Sequence, residues 1–366
     1  MPDDPTIEMS ATAGQSKLIR PQRASIHHVA ARAGVSPMTV SNVIRNRTDQ
    51  MGEETRRRVL EAIKDLDYVP VRTTMQNRHV ETRVIGVVFN HDLKGFVGHF
   101  TFDGMTDRAK EIDYDLLMFL RPIPEWIRPG TANQFLDRRC DGFIFVGSPA
   151  AGLTESLIKH GIPVVECFNY TDVPGSAYVV PDNASAMAMA VHYLYSKGHR
   201  RIAHLGGPVE STEANVRCES FLRTVSELGI PECRDCCIQA GDWFVDNYTE
   251  ESFAGPKAVC DQILDWKPTA VVCANDFLAL GLWSAAEKRG MRVPKDLSIT
   301  GMDNTNNSVA RGLTTIKIAF EVIGRTAMDA IAGILRGESP SEVTRQIPVE
   351  IVERSTVADA PKRCSP

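Results

Sequence analysis

The chain has 366 residues, 43% of them apolar and 24% charged, an ordinary globular composition with room for two or three domains. No apolar run reaches the ~18–20 residues that span a bilayer, and MPDDPTIEMS lacks the apolar stretch of a secretion signal, so a cytoplasmic protein without a membrane partner is expected. The nine cysteines suit reduced thiols rather than a secreted disulfide scaffold. A net charge of −5 is unevenly spread: residues 17–83 carry 13 basic and 7 acidic side chains, whereas residues 84–366 carry 28 and 36. A basic head on an acidic body is a cue for a polyanion at the head.

Residues 1–24 read as a disordered leader, polar and aperiodic, with a basic end at KLIRPQRA. Residues 25–70 read as three short helices. Ser25 is placed to cap the first, with Val29, Ala30 and Ala33 on one face, and Gly34 falls where the turn needs a positive φ. Ser36 caps the second, with Pro37 at its first position and Val40, Val43 and Ile44 turned inward. In the third, EETRRRVLEAIKDLDY, the apolar residues Val59, Leu60, Ile63 and Leu66 recur at helical spacing, and Pro70 stops it. Residues 71–83 have no core pattern and read as a hinge or linker.

From residue 84 the text changes to strands and helices in alternation. VIGVVF, DYDLLMFL, DGFIFVG, IPVVECF, RRIAHLGG, CCIQAGDW, TAVVCAND and LSITGMD read as strands. Between them FTFDGMTDRAKEI, TANQFLDRR, LTESLIKHG, ASAMAMAVHYLYSKG, a segment through Arg217 to Leu228, one from Pro256 to Leu264, and FLALGLWSAAEKRG read as helices. Such alternation predicts an α/β body, residues 84–358, of parallel sheets with ligand loops at the strand C-termini, ending in a tail at 359–366.

AARAGVSPMTVSNVIR has the spacing of a helix-turn-helix, whose second helix lies in the major groove and offers its first turn to base edges. Pro37, Met38 and Asn42 are the candidates for base contact; Ser36, Thr39 and Ser41 are hydroxyl donors suited to phosphate. The alternative is a small helical bundle with no ligand, which the local positive charge disfavours.

IHHVAARAGVSPMTVSNVIR followed by EETRRRVLEAIKDLDYVP resembles the headpiece of the lac-repressor (LacI/GalR) family of bacterial transcription regulators. The resemblance runs on through VIGVVF, DGFIFVGS, GIPVVE, PDN at 181–183, GHRRIAHLGGP at 198–208, GDW at 241–243, PTAVVCANDFLALG at 268–281, LSITGMDN at 297–304 and LTTIK at 313–317. It implies an N-terminal all-α helix-turn-helix headpiece, a hinge, and a two-lobed core like periplasmic sugar-binding proteins with a small effector between the lobes. It further implies a repressor, acting as a dimer on double-stranded operator DNA, with no cofactor.

Three positions depart from the family pattern. Asn42 stands where Arg is common, and Gly52 where a Ser or Thr cap is usual, after a connection one residue longer. The family's apolar wedge, which unstacks a base step in the minor groove, falls on Asn77, which can hydrogen-bond there but cannot wedge. Arg78 beside it completes the proposed hinge contacts.

In the body, the resemblance points to Asp182, Arg217, Trp243, Asn275, Asp303 and Phe320 as the effector lining. Arg217 offers a planar fork for two vicinal hydroxyls, Asp182 and Asp303 accept, Asn275 does both, and Trp243 and Phe320 offer apolar faces. Glu213 makes three acids against one Arg, which favours a neutral sugar or polyol over an anion. Two aromatics common in the family before the first core helix are Val97 and Gly98 here, leaving that wall to Phe96 or Phe100.

CRDCC at 233–237 lacks the four ligands of a zinc site and reads as structural or incidental thiols. An enzyme is disfavoured: no GxGxxG follows the first strand, and GxxxxGK[ST] and GxSxG are absent. A transport binding protein would account for the body but not for residues 25–68. A single recognition helix reads few base pairs, so a two-fold dimer is expected, with FTFDGMTDRA and FLALGLWSAA as candidate interface faces.

Overall fold

The computed structural model describes residues 25–44, 51–66, 68, 81–89, 96–120, 135–136, 139–147, 151–241 and 254–361. The chain forms two compact units, Met1–Gln76 and Asn77–Pro366, a division that falls inside the segment read as hinge.

The first unit contains α1 (Ile26–Ala33), α2 (Pro37–Ile44) and α3 (Glu53–Asp65). Ser25 caps α1 by accepting from the His28 amide, and Gly34 closes it at φ 64. That left-handed turn, sealed by the Val35 amide donating to Ala30 O at 3.0 Å, redirects the chain within three residues into α2. Val29, Ala30, Ala33, Val40, Val43, Val59 and Ala62 form the core. α3 begins at Gly52 without a side-chain cap. Leu60 is 49% and Ile44 36% exposed, against the inward placement expected for both. At these spacings the neighbouring Val59 and Val43 take the core-facing positions instead.

The second unit carries two six-stranded sheets. The first is built from β1 (Val84–Phe89), β2 (Asp115–Leu120), β3 (Gly142–Val146), β4 (Val164–Cys167), β5 (Ala177–Pro181) and β11 (Arg345–Ile347), in the order β11-β5-β4-β3-β1-β2. All of its pairings are parallel. The second contains β6 (Ile202–Gly206), β7 (Cys237–Gln239), β8 (Ala270–Cys273), β9 (Ser298–Asp303), β10 (Thr314–Lys317) and β12 (Glu350–Val352), in the order β12-β10-β9-β8-β6-β7. Among the described residues its pairings are parallel except β10–β12, an antiparallel edge on the expected parallel sheets. The chain passes between the sheets after β5, after β10 and again after β11, which makes two lobes joined by three strands of backbone.

Among the described residues the α-helices of this unit are α4 (Phe96–Glu111), α5 (Ala151–Lys159), α6 (Asn183–Ser196), α7 (Thr212–Glu227), α8 (Ala254–Asp265), α9 (Asp276–Lys288), α10 (Asn306–Arg311), α11 (Phe320–Leu335) and α12 (Pro340–Val343). α4 packs on α11 of its own chain through Gly104 and Gly324. A Cβ on Gly104 would lie 2.1 Å from Glu321 O, and one on Gly324 would lie 2.0 Å from Thr101 O. α9, the other candidate interface helix, buries Leu278, Ala279, Leu280, Gly281, Leu282, Trp283 and Ala286. Those apolar positions therefore serve its own lobe first.

Two further readings change. Thr82 and Arg83, assigned to the linker, belong to the core: their amides both donate to the Asp141 carboxylate at 2.8 Å, which pins the entry to β1. The helix expected over TANQFLDRR lies largely outside the described residues, and Phe135 and Leu136 within it form a turn.

Candidate DNA-reading surface and effector site

In the first unit, α2 presents its N-terminal turn outward. Ser36 Oγ accepts from the Thr39 amide at 3.1 Å and lies 2.9 Å from Thr39 Oγ1, so the cap serine is engaged while remaining exposed. Pro37 is exposed and Met38 is 66% exposed, a large apolar side chain with no core role; Thr39 and Asn42 are half-buried. Ser41 is buried beside Val40 and Val43. Asn77 and Arg78 lie outside the described residues.

In the second unit, most of the proposed effector residues fall at strand C-termini or the helix starts that follow them. Asp182 follows β5 and caps α6, its Oδ1 accepting from the Ser185 amide at 3.0 Å. Asn275 follows β8 and caps α9 through the Leu278 amide at 2.8 Å. Asp303 ends β9 with φ 119, and Asn304 follows at φ 64, a left-handed pair held as Arg354 donates to Asn304 Oδ1. Phe320 opens α11 with its ring 5.8 Å from that of Phe168, which follows β4. Trp243 lies outside the described residues.

The centre of the cluster is an amide that sequence reasoning passed over. Asn183 Oδ1 accepts from Arg217 Nε at 2.7 Å, and its Nδ2 donates to Glu213 Oε1 and to Tyr170 Oη, each at 3.2 Å. Arg217 also donates from Nη1 to Ala274 O at 2.7 Å and stands 3.7 Å from Glu213. The guanidinium thus bridges α6, α7 and the end of β8, where the ligand-holding fork was expected. On the first lobe, Glu166 accepts from Thr154 and Asn169; Thr212 at the start of α7 donates to Asn169 Oδ1 at 2.8 Å and accepts from the Tyr170 amide at 3.1 Å. A continuous polar network therefore runs from the first lobe through Asn169 and Tyr170 into α7. The signal for Asn183 was present in PDN, beside the carboxylate that drew attention instead.

The electrostatics follow from burial. Glu213 is pushed up from the usual carboxylate range by desolvation, with Arg217 and Asn183 opposing. Asp303 is raised well above it by burial and by the charge of Asp276, partly offset by Arg217. Asp276, fully buried, accepts from Thr315 Oγ1 at 2.6 Å and from the Thr305 amide at 2.7 Å, tying α9 to the segment after β9 and to β10. This lining disfavours an added negative charge and can offer protonated carboxyls as donors. Among the described residues no group of three or more His, Cys, Asp or Glu could hold a metal ion, and no helix is long and apolar enough to cross a membrane.

Comparison with known proteins agrees with both units. Residues 25–71 match the bacterial regulatory proteins of the lacI family, and residues 191–357 match the periplasmic binding protein-like domain. The chain is 30% identical over 353 residues to the HTH-type transcriptional repressor PurR of Erwinia tasmaniensis, covering 93% of this chain and 98% of that one. It is 29% identical to the repressor of the same name from Vibrio vulnificus, covering 91% and 98%. The lac repressor dimer bound to operator and the anti-inducer ONPF superposes with a TM-score of 0.70 at 25% identity, covering 92% of this chain and all of that one. With the helix-turn-helix and the two-lobed α/β body both in place, the chain belongs to the lacI family of bacterial regulatory proteins and is a DNA-binding transcriptional repressor, not an enzyme.

Proposed function

We propose that two copies of the chain bind a near-palindromic operator, each placing the N-terminal turn of α2 in the major groove, and that a small effector at the Arg217 cluster sets the operator affinity. The observation that carries the first part is the exposed Ser36-Pro37-Met38 turn on a helix otherwise packed through Val40 and Val43. Thr39 and Asn42 extend the surface, Ser41 is assigned to phosphate, and Asn77 and Arg78 are assigned to the minor groove. Acting on operator DNA places the chain in the cytoplasm, on the nucleoid when bound.

The effector is a neutral, hydroxyl-rich molecule of the sugar or polyol class. Glu213 and Asp303 lie near Arg217 and Asp182 follows β5 as a further acceptor, the electrostatics disfavour an anion, and Asn275 and Arg217 supply donors. Trp243 joins them on the sequence reading alone. The tilted Phe168–Phe320 pair favours a second reading, a planar uncharged nitrogen heterocycle lying against aromatic faces.

Selection of bound duplexes from a random pool yields the operator. A thermal-shift panel of neutral sugars, polyols, heterocycles and sugar phosphates then tests the site, since a native-state ligand raises the unfolding midpoint. Stabilisation by a neutral compound that also changes operator affinity supports the reading; stabilisation by sugar phosphates alone contradicts it.

A further inference from the structure

Eight cysteines lie among the described residues, and six are buried: Cys140, Cys167, Cys233, Cys236, Cys260 and Cys273. Two of these have evident structural roles or surroundings. Cys233 Sγ accepts from the Ile202 amide at 3.3 Å and lies within hydrogen-bond reach of Arg200 O at 3.4 Å, and burial pushes the Cys236 thiol up to about 11. The remaining two, Cys218 on α7 and Cys237 at the start of β7, are half-exposed, and their sulfurs are 2.7 Å apart. They lie 19 positions apart on separate elements, one a helix and the other the edge strand of the second sheet. The CRDCC run thus divides: its first two thiols face the core and its last meets a cysteine that has no spacing signature in the sequence.

We propose that Cys218 and Cys237 are a reversible dithiol–disulfide pair, oxidised by hydroperoxides, that ties α7 to β7. The hydrogen bond between the two thiols lowers Cys218 below the ordinary thiol range and raises Cys237, so Cys218 is the nucleophile. Its thiolate attacks a peroxide oxygen; the O–O bond breaks, Cys218 becomes a sulfenic acid, and the alkoxide leaves and takes a proton to become an alcohol. Cys237 sulfur then attacks the Cys218 sulfur. The S–S bond forms as the S–O bond breaks, and the departing hydroxide takes the Cys237 proton to leave as water. One hydroperoxide is reduced for each disulfide, and a dithiol reductant reverses the result.

The bond would close where the two elements already meet, since Gln239 Nε2 donates to Asn215 Oδ1 at 3.1 Å. Arg217 precedes Cys218, so oxidation fixes the helix that carries both Arg217 and Glu213 against the sheet edge. The chemistry does not depend on the effector reading.

The test treats the reduced full-length protein with stoichiometric hydrogen peroxide and maps its peptides without reduction. The proposal expects Cys218 and Cys237 in one linked pair, reversed by dithiothreitol, with the unfolding midpoint raised on the order of 5 °C. In Cys237→Ser, Cys218 should be trapped as the sulfenic acid by dimedone, and Cys218→Ser should show no peroxide-dependent shift. A different linked pair, over-oxidation of Cys218 with no link, or an equal midpoint shift in Cys218→Ser overturns it. The wild-type map decides the pairing even if a variant folds poorly.

Discussion

Asn183 and Arg217, 34 residues apart in sequence, meet at 2.7 Å and join the start of α6 to α7 beneath the ends of β5 and β8. The amide satisfies three groups at once: the Arg217 guanidinium, the Glu213 carboxylate and the Tyr170 hydroxyl. Replacing Asn183 by Ala removes all three bonds from a buried site. The cost expected is about 2–3 kcal/mol of unfolding free energy, readable as a lower urea midpoint at unchanged slope, together with weaker effector binding.

Arg217→Ala should abolish the effector response, and the structure adds a stability cost. The side chain is 5% exposed and its removal leaves Glu213 buried without its counter-charge. Loss of about 3 kcal/mol is expected, with partial recovery in the Arg217→Ala/Glu213→Gln double variant. Equal stability of wild type and single variant, with intact effector titration, would place the pocket elsewhere.

Much of this arrangement is legible in the amino-acid sequence. The headpiece followed from Ser25, Gly34 and Ser36, because caps and a left-handed turn are local chemistry. The strands from VIGVVF to LSITGMD were legible as apolar runs broken by amphipathic helices. Legibility failed after LSITGMD: the strands there, β10, β11 and β12, have only four, three and three residues, and the helices α10, α11 and α12 between them were not read. β5 was hidden behind its closing Pro181. The burial of Ser41 was not legible, because it depends on which side of α2 meets the rest of the headpiece. Asn183 and Cys218 owe their roles to partners distant in the chain, which no local spacing announces.

Gly104→Ala and Gly324→Ala should each destabilise the second unit, although alanine is the better helix former by up to ~1 kcal/mol. In both cases the new methyl meets backbone oxygen at about 2 Å, so α4 and α11 must separate. A net loss of about 1–3 kcal/mol is expected for overpacking of this kind. Thermal unfolding checks the sign; stabilisation by either substitution would mean that the helices pack more loosely than described.

His204 is fully buried, its Nδ1 2.9 Å from Val272 O and its ring stacked on Phe221. Burial lowers it from 6.5 to about 4. The unfolded chain therefore binds a proton that the folded chain refuses, and the stability present above pH 6.5 is lost as pH falls towards 4. The loss amounts to about 3 kcal/mol. Glu213, Asp276 and Asp303, raised by burial, act in the opposite sense, adding stability at low pH that is lost as pH rises through their elevated values. The difference between wild type and His204→Phe isolates the histidine: the variant should lose markedly less stability between pH 6.5 and 4, measured by urea unfolding at each pH. Parallel curves would show that His204 is not the titrating group.

Met38→Ala should leave the headpiece as stable as wild type, because the side chain is 66% exposed, yet weaken binding to the selected operator. The most direct measurement for the whole account is the affinity of the full-length chain for that operator as salt is raised. Each phosphate neutralised contributes a log–log slope of about −0.9, so a dimer tracking two half-sites should give a steep, linear decline, with the operator remaining tighter than a scrambled duplex throughout. A flat response, or equal affinity for operator and scrambled duplex, would contradict the assignment of α2 as the helix that reads DNA.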